Sequence, residues 1–131
     1  MRHIISFILF ILLAASAISQ NITREEYIRQ WQLLAIEEMN RSGIPASITM
    51  AQGCLESGNG NSELSRKSNN HFGIKCKSSW KGKKVYYDDD RRNECFRSYR
   101  SVEDSYIDHT NFLMENPRYA SLFLLDPTDY K

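Results

Sequence analysis

The opening residues decide how much of this chain is left to fold. Arg2 and His3 precede an apolar run from Ile4 to Ala15, and small residues follow around Ala15-Ser16-Ala17 and Ala17-Ile18-Ser19. That layout reads as a secretory signal peptide over residues 1–19, with cleavage before Ile18 or Gln20. The competing reading, an uncleaved membrane anchor, needs roughly 20 apolar residues to cross a bilayer, and the run is shorter. The expectation is therefore an exported protein of the periplasm, cell envelope or extracellular space, with no stable membrane span after cleavage. Residues 20–131 suffice for one small domain and exclude a second.

Export sets the reading of the three cysteines, Cys54, Cys76 and Cys95. In an oxidising compartment one pair forms a disulfide and one thiol is left over. Cys54 lies in the apolar stretch Ile48 to Leu55 and reads as a small core residue. Cys76 and Cys95 flank a polar, strand-like excursion that needs tying down, so they are the expected pair. Three lone cysteines, with His71 and His109 lacking ligand partners at metal-binding spacing, give no metal site. The formal charge of +1 falls close to zero when Arg2 leaves with the signal, which excludes a global field for holding nucleic acid.

From Arg24 to Arg41, Tyr27, Trp31, Leu34 and Met39 recur at near-helical spacing, and Gly43-Ile44-Pro45 ends the run. Ser47 is the expected N-cap of a second helix, with Ile48, Ala51 and Leu55 on its buried face and Ser57-Gly58-Asn59-Gly60 as its stop. Residues Asn61 to Lys75 read as structured loop with one possible helical turn at Ser62 to Ser65. Val85-Tyr86-Tyr87 and Cys95 to Tyr99 are β-prone, with Asp88 to Asn93 as a polar hairpin turn. Ser101 then caps a last strong helix carrying Val102, Tyr106, His109 and Leu113 on one face, ended by Asn116-Pro117. The sum is α+β, mainly α, with a small β-hairpin lobe.

Within this frame Glu56 is the carboxylate most suited to chemistry. It stands where a helix stops, beside glycines that let backbone approach a ligand closely. Desolvation at a cleft floor and the negative end of the helix dipole would both keep it protonated, the state a general acid needs. Taken alone, a glutamate at a helix end is more often a solvated surface group.

The surrounding segments change that weighting. Ile44-Pro-Ala-Ser-Ile-Thr-Met-Ala-Gln52, Leu55-Glu-Ser-Gly-Asn-Gly60, Asn69-Asn-His-Phe-Gly-Ile-Lys75, Phe96-Arg-Ser-Tyr-Arg-Ser101 and Asn116-Pro-Arg-Tyr119 occur in that order. Together they resemble the glucosaminidase family of peptidoglycan hydrolases, glycoside hydrolase family 73, over roughly residues 25 to 131. The resemblance implies a lysozyme-like domain cutting the β-1,4 bond after N-acetylglucosamine in peptidoglycan glycan strands, without a cofactor. It places Glu56 as catalytic acid, Asn70, Phe72 and Gly73 in a cleft-lining block, and Tyr119 as a cleft tyrosine.

The family's second carboxylate lies in the β-lobe, where this chain offers Asp88, Asp89, Asp90 and Glu94 in place of the usual Thr-Thr-Glu. Asp88 and Asp89 are preferred because they are nearest the strand. Such a group would activate water at a separation of roughly 6.5–9.5 Å or attack directly at about 5 Å, and the substrate's own acetamido group is a third possibility. Tyr86, Tyr87, Trp80 and Tyr119 offer faces for sugar rings, and Asn69 and Asn70 offer amides. Two other readings use the same residues: a wall-binding module of this fold without chemistry, and a lytic transglycosylase. The protein is expected to be a monomer. The family pattern continues beyond Leu122-Phe-Leu-Leu-Asp-Pro-Thr-Asp-Tyr-Lys131 into at least one further helix, so the chain reads as C-terminally incomplete or unusually short.

Overall fold

The computed structural model describes residues 21–124 and 126, and the expected signal peptide lies outside them. Helix α1 spans Arg24–Ser42 and is fixed at its start by a reciprocal capping box between Thr23 and Glu26. It ends where Gly43 takes a φ of 81° and returns its N–H to Met39. Helix α2 spans Ala46–Ser57, and a six-residue helix α3, Glu63–Ser68, follows within the segment read as loop. Ser62 caps α3 by accepting a hydrogen bond from the Ser65 N–H.

Strands β1 (Lys83–Tyr87) and β2 (Glu94–Ser98) pair antiparallel, with Val85 opposite Phe96 and Tyr87 opposite Glu94. Helix α4, Val102–Glu115, is capped by Ser101 and ends before Pro117, where a 3₁₀ segment continues to Leu124. No helix among the described residues is long and apolar enough to cross a membrane.

The core gathers Tyr27 and Ala35 of α1, Met50 and Cys54 of α2, Phe72 and Ile74 of the connecting loop, and Tyr106 of α4. The Tyr27 hydroxyl is hydrogen-bonded to His71 Nδ1 at 2.7 Å and to the Tyr106 hydroxyl at 3.0 Å, so this aromatic centre carries its polar atoms paired. Burial pushes the His71 pKa down to about 4.

Helix α2 corrects the sequence reading in two ways. Its N-cap is Pro45, without a side-chain cap, and Ser47 lies inside the helix. Its buried face is Thr49, Met50, Gly53, Cys54 and Ser57, whereas Ile48, Ala51 and Leu55 are exposed. The cause is close approach: a Cβ at Gly53 would sit 2.9 Å from the Tyr27 hydroxyl and 3.0 Å from that of Tyr106. Tyrosines of α1 and α4 thus reach the helix backbone through its small residues, and hydropathy does not choose the inward side.

The expected disulfide joins Cys76 to Cys95, and Cys54 is buried and free. Around the bridge, residues 74–76 run alongside β2: Arg97 N–H donates to Ile74 O, Cys76 N–H donates to Cys95 O, and Lys75 bridges Phe96. The hairpin base is also tied to α4, because Arg97 Nη1 donates to both Asp108 oxygens at 3.1 and 2.9 Å and the Tyr99 hydroxyl donates to Asp108. These bonds fix where the β-lobe leaves the helical body.

Candidate active site

Glu56 is the penultimate residue of α2, and Gln52 lies one turn earlier on the same face. Both open onto a cleft of about 360 Å³ bounded by the 72–77 loop, by His109, Phe112 and Leu113 of α4, and by Tyr119. Among the described lining residues, Glu56 is the only carboxylate. The Glu56 side chain is exposed, so the protein alone does not supply the desolvated floor expected for it.

Phe72 and Gly73 line this cleft. The Phe72 ring stacks on His109 with centroids 3.9 Å apart and meets Tyr106 edge-on, so it serves core and cleft wall together. Burial lowers the His109 pKa to about 4, leaving a neutral ring against Phe72. Gly73 has a φ of 62°, and a Cβ there would come within 3.7 Å of Glu56 Oε2. Tyr119 lines the cleft and also an adjoining hollow that shares Gln52 and Leu113.

Asn70 is not a cleft residue. It is 1 % exposed, its Nδ2 donates to Ile74 O and Arg97 O, and its Oδ1 accepts from the Ile74 N–H. All of its amide is spent shaping the turn that presents Phe72 and Gly73. Asn69 likewise caps α3 and donates to Tyr99 O. Trp80 faces another hollow with Tyr99 and Asp108, which shares no described lining residue with the Glu56 cleft.

The hairpin acids arrange themselves around Lys75. Its ammonium lies 2.9 Å from Asp89, 3.2 Å from Asp90 and 2.7 Å from Glu94, while the residue itself lines the cleft. The Lys75 ammonium beside Asp89 holds that carboxyl below its ordinary range, and the three acids raise the Lys75 pKa in turn. Asp88 instead uses Oδ1 to accept from the Asn93 N–H at 2.7 Å, closing the turn. Tyr87 is half-buried opposite Glu94, outside the cleft lining. Neither Asp88 nor Asp89 borders the cleft beside Glu56.

Gln52, Lys75, Lys77, His109 and Phe112 are cleft residues to which the sequence reading gave no role in the site. For Gln52 a signal existed: it precedes Glu56 by four residues on one helix, which sets both side chains on one face. Lys77 places its ammonium 4.5 Å from the Phe112 ring centroid, a contact that joins the loop after Cys76 to α4.

The sequence pattern of the glucosaminidase family, described as mannosyl-glycoprotein endo-beta-N-acetylglucosaminidase, matches residues 32–131. The peptidoglycan hydrolase FlgJ of Vibrio parahaemolyticus is 33% identical over 108 residues, covering 74% of this chain and 35% of that protein. FlgJ of Escherichia coli K12 is 32% identical over 108 residues, covering 73% and 34%. The chain thus spans about a third of the length of these curated relatives.

Among solved structures, the glycoside hydrolase domain of Salmonella typhimurium FlgJ matches with a TM-score of 0.66 at 30% identity, covering 79% of this chain and 69% of that one. A peptidoglycan hydrolase from Sphingomonas sp. A1 matches with a TM-score of 0.67 at 33% identity, covering 75% and 65%. The helical body, the two-stranded lobe and the intervening cleft are those of a lysozyme-like glycoside hydrolase domain. The chain belongs to the glucosaminidase family.

Proposed function

We propose that this domain is an endo-β-N-acetylglucosaminidase that hydrolyses the β-1,4 bond after N-acetylglucosamine in bacterial peptidoglycan, with Glu56 as its general acid. The observation that carries the reading is the position of Glu56: a lone carboxylate at the end of a helix, opening onto a cleft walled by Phe72, Phe112 and Tyr119. The names of the relatives, peptidoglycan hydrolases, point to the same substrate.

Protonation of the glycosidic oxygen by Glu56 leaves an oxocarbenium-like sugar that needs a second group to supply or guide the nucleophile. The hairpin offers Asp88 and Asp89. Asp89 suits the task better, since Lys75 keeps it ionised and links it to the cleft wall, whereas Asp88 is committed to the turn. Bound glycan would also exclude water around Glu56, giving the desolvation that the free protein lacks. The Cys76–Cys95 bridge fits an exported protein, and we place its action in the periplasm, cell envelope or medium, as a monomer.

The test is mass spectrometry of purified peptidoglycan digested with the chain and with Glu56→Gln. Fragments with reducing N-acetylglucosamine ends, made by wild type alone, support the reading. Anhydro-muramic ends would convert it to a lytic transglycosylase. Binding without products from either chain would make it a wall-binding module.

A further inference from the structure

The two ends of the hairpin are held by different means. Its base is joined to the body by the Cys76–Cys95 bridge, by backbone bonds from residues 74 and 76 to β2, and by the Arg97–Asp108 pair. Its turn, residues 88–93, has internal bonds: Asp89 N–H donates to Arg91 O, and Asn93 N–H donates to Asp88. Among the described residues, every hydrogen bond or ion pair that leaves the hairpin from this turn ends on Lys75, in the loop beside β2.

Lys75 is well placed for that task. Residue 75 is clamped on both sides, by Arg97 N–H on Ile74 O and by the disulfide at Cys76, so its backbone cannot follow the turn. Its ammonium lies 5.8 Å from the Phe96 ring centroid and reaches Glu94, whose side chain is 18% exposed, as well as the exposed Asp89 and Asp90. An exposed ion pair alone contributes about 0–1 kcal/mol. Here one fixed ammonium collects three carboxylates, and the less exposed pair with Glu94 is less screened by salt.

We infer that Lys75 is a positioning residue: a latch from the cleft wall that sets the height of the hairpin turn, and hence of its carboxylates, above the Glu56 cleft. This rests on the glucosaminidase reading for its catalytic consequence, and on geometry alone for the latch. The arrangement matters for rate, because a displacement of about 1 Å in a reacting group can cost on the order of a hundredfold. Binding of glycan to Phe72 and Tyr119 on the body would be little affected, since no residue of the turn lines that cleft.

The three acids leave a mark that a merely structural lysine would not. With the ammonium removed, oxygens of Asp89, Asp90 and Glu94 lying within 4.8 Å of one another would attract a divalent cation in its place. The experiment compares wild type, Lys75→Met and Lys75→Arg by steady-state hydrolysis of soluble peptidoglycan fragments and by amide hydrogen exchange, each with and without calcium chloride.

Expected for Lys75→Met is a kcat lowered by roughly ten- to a hundredfold, with KM changed less than about threefold. The Asp89 and Asn93 amides should exchange faster while the β1–β2 ladder near Cys95 keeps its protection. Calcium on the order of millimolar should recover part of both effects in Lys75→Met and do nothing to wild type. Lys75→Arg, which keeps the charge, should retain more activity than Lys75→Met.

Wild-type exchange at Asp89 and Asn93 in Lys75→Met would overturn the latch, as would loss of protection throughout the domain, which would mean a general structural role. A wild-type chain that leaves peptidoglycan uncut defeats the functional reading instead, and hydrogen exchange then decides the latch by itself.

Discussion

Gly73 faces the Glu56 carboxylate across the cleft, close enough that a Cβ at residue 73 would touch Oε2 at 3.7 Å. Its backbone is left-handed as well, with a φ of 62°, a conformation that costs an L residue roughly 1–2 kcal/mol. Gly73→Ala should therefore lower stability by about that amount, and Gly73→Val by more. Activity should fall in the same order by more than the unfolded fraction explains, because the new side chain occupies the approach to the acid. Urea melts beside initial rates test this; rates that track only the folded fraction would remove residue 73 from the site.

The histidines give the fold an acid limit. His71 and His109 are buried and neutral, with pKa values lowered to about 4, against an ordinary value of 6.5. Between these values the unfolded chain binds protons that the folded chain refuses, so folding loses stability as pH falls from 6.5 towards 4 and loses no more from these groups below that. Exchanging His109 for Phe keeps a ring on Phe72 and should flatten the decline. Melting temperatures from pH 7 to pH 4 check it: an unchanged slope would show that other groups set the limit.

Asn70 supplies a contrast with the sequence reading, which set its amide on the substrate. Its three buried hydrogen bonds go to backbone of Ile74 and Arg97. Asn70→Ala should cost about 2–3 kcal/mol of stability. At temperatures where the variant is folded, KM should stay near wild type. A selective rise in KM with unchanged stability would restore the binding role.

Lys77 brings a positive charge to a cleft whose other wall is aromatic, and no carboxylate among the described residues pairs with it. Peptidoglycan differs from chitin-like oligomers in the carboxylates of its stem peptides. Lys77→Gln should raise KM for peptidoglycan fragments about three- to tenfold, equivalent to the modest strength of an exposed charge pair, and leave neutral N-acetylglucosamine oligomers unaffected. Equal effects on both substrates would mean that the lysine acts only through Phe112.

Helix α1, the hairpin, helix α4 and the disulfide were all legible in the sequence, since each is written in local signals: Tyr27, Trp31, Leu34 and Met39 at near-helical spacing, an acidic turn between β-prone runs, Ser101 before an apolar stripe, two cysteines at the ends of one excursion. Helix α3 was read only as a possible turn at Ser62 to Ser65, because six residues carry too little periodicity. The inward face of α2 was misread for a different reason. Gly53 is buried because tyrosines from two other helices reach over it, a long-range contact that Ile48 and Leu55 do not announce. The same limit separates Glu56, placed by its own helix end, from Lys75, whose partners lie 14, 15 and 19 positions along the chain.

The bridge between Cys76 and Cys95 closes a covalent ring around the whole of β1 and its turn. A protease meeting the exposed pair Arg91-Arg92 could sever the peptide backbone there, yet both pieces would stay on one molecule. The cut protein would run at full length on a gel until a thiol was added. A domain built this way carries its hairpin turn as a loop that tolerates being nicked.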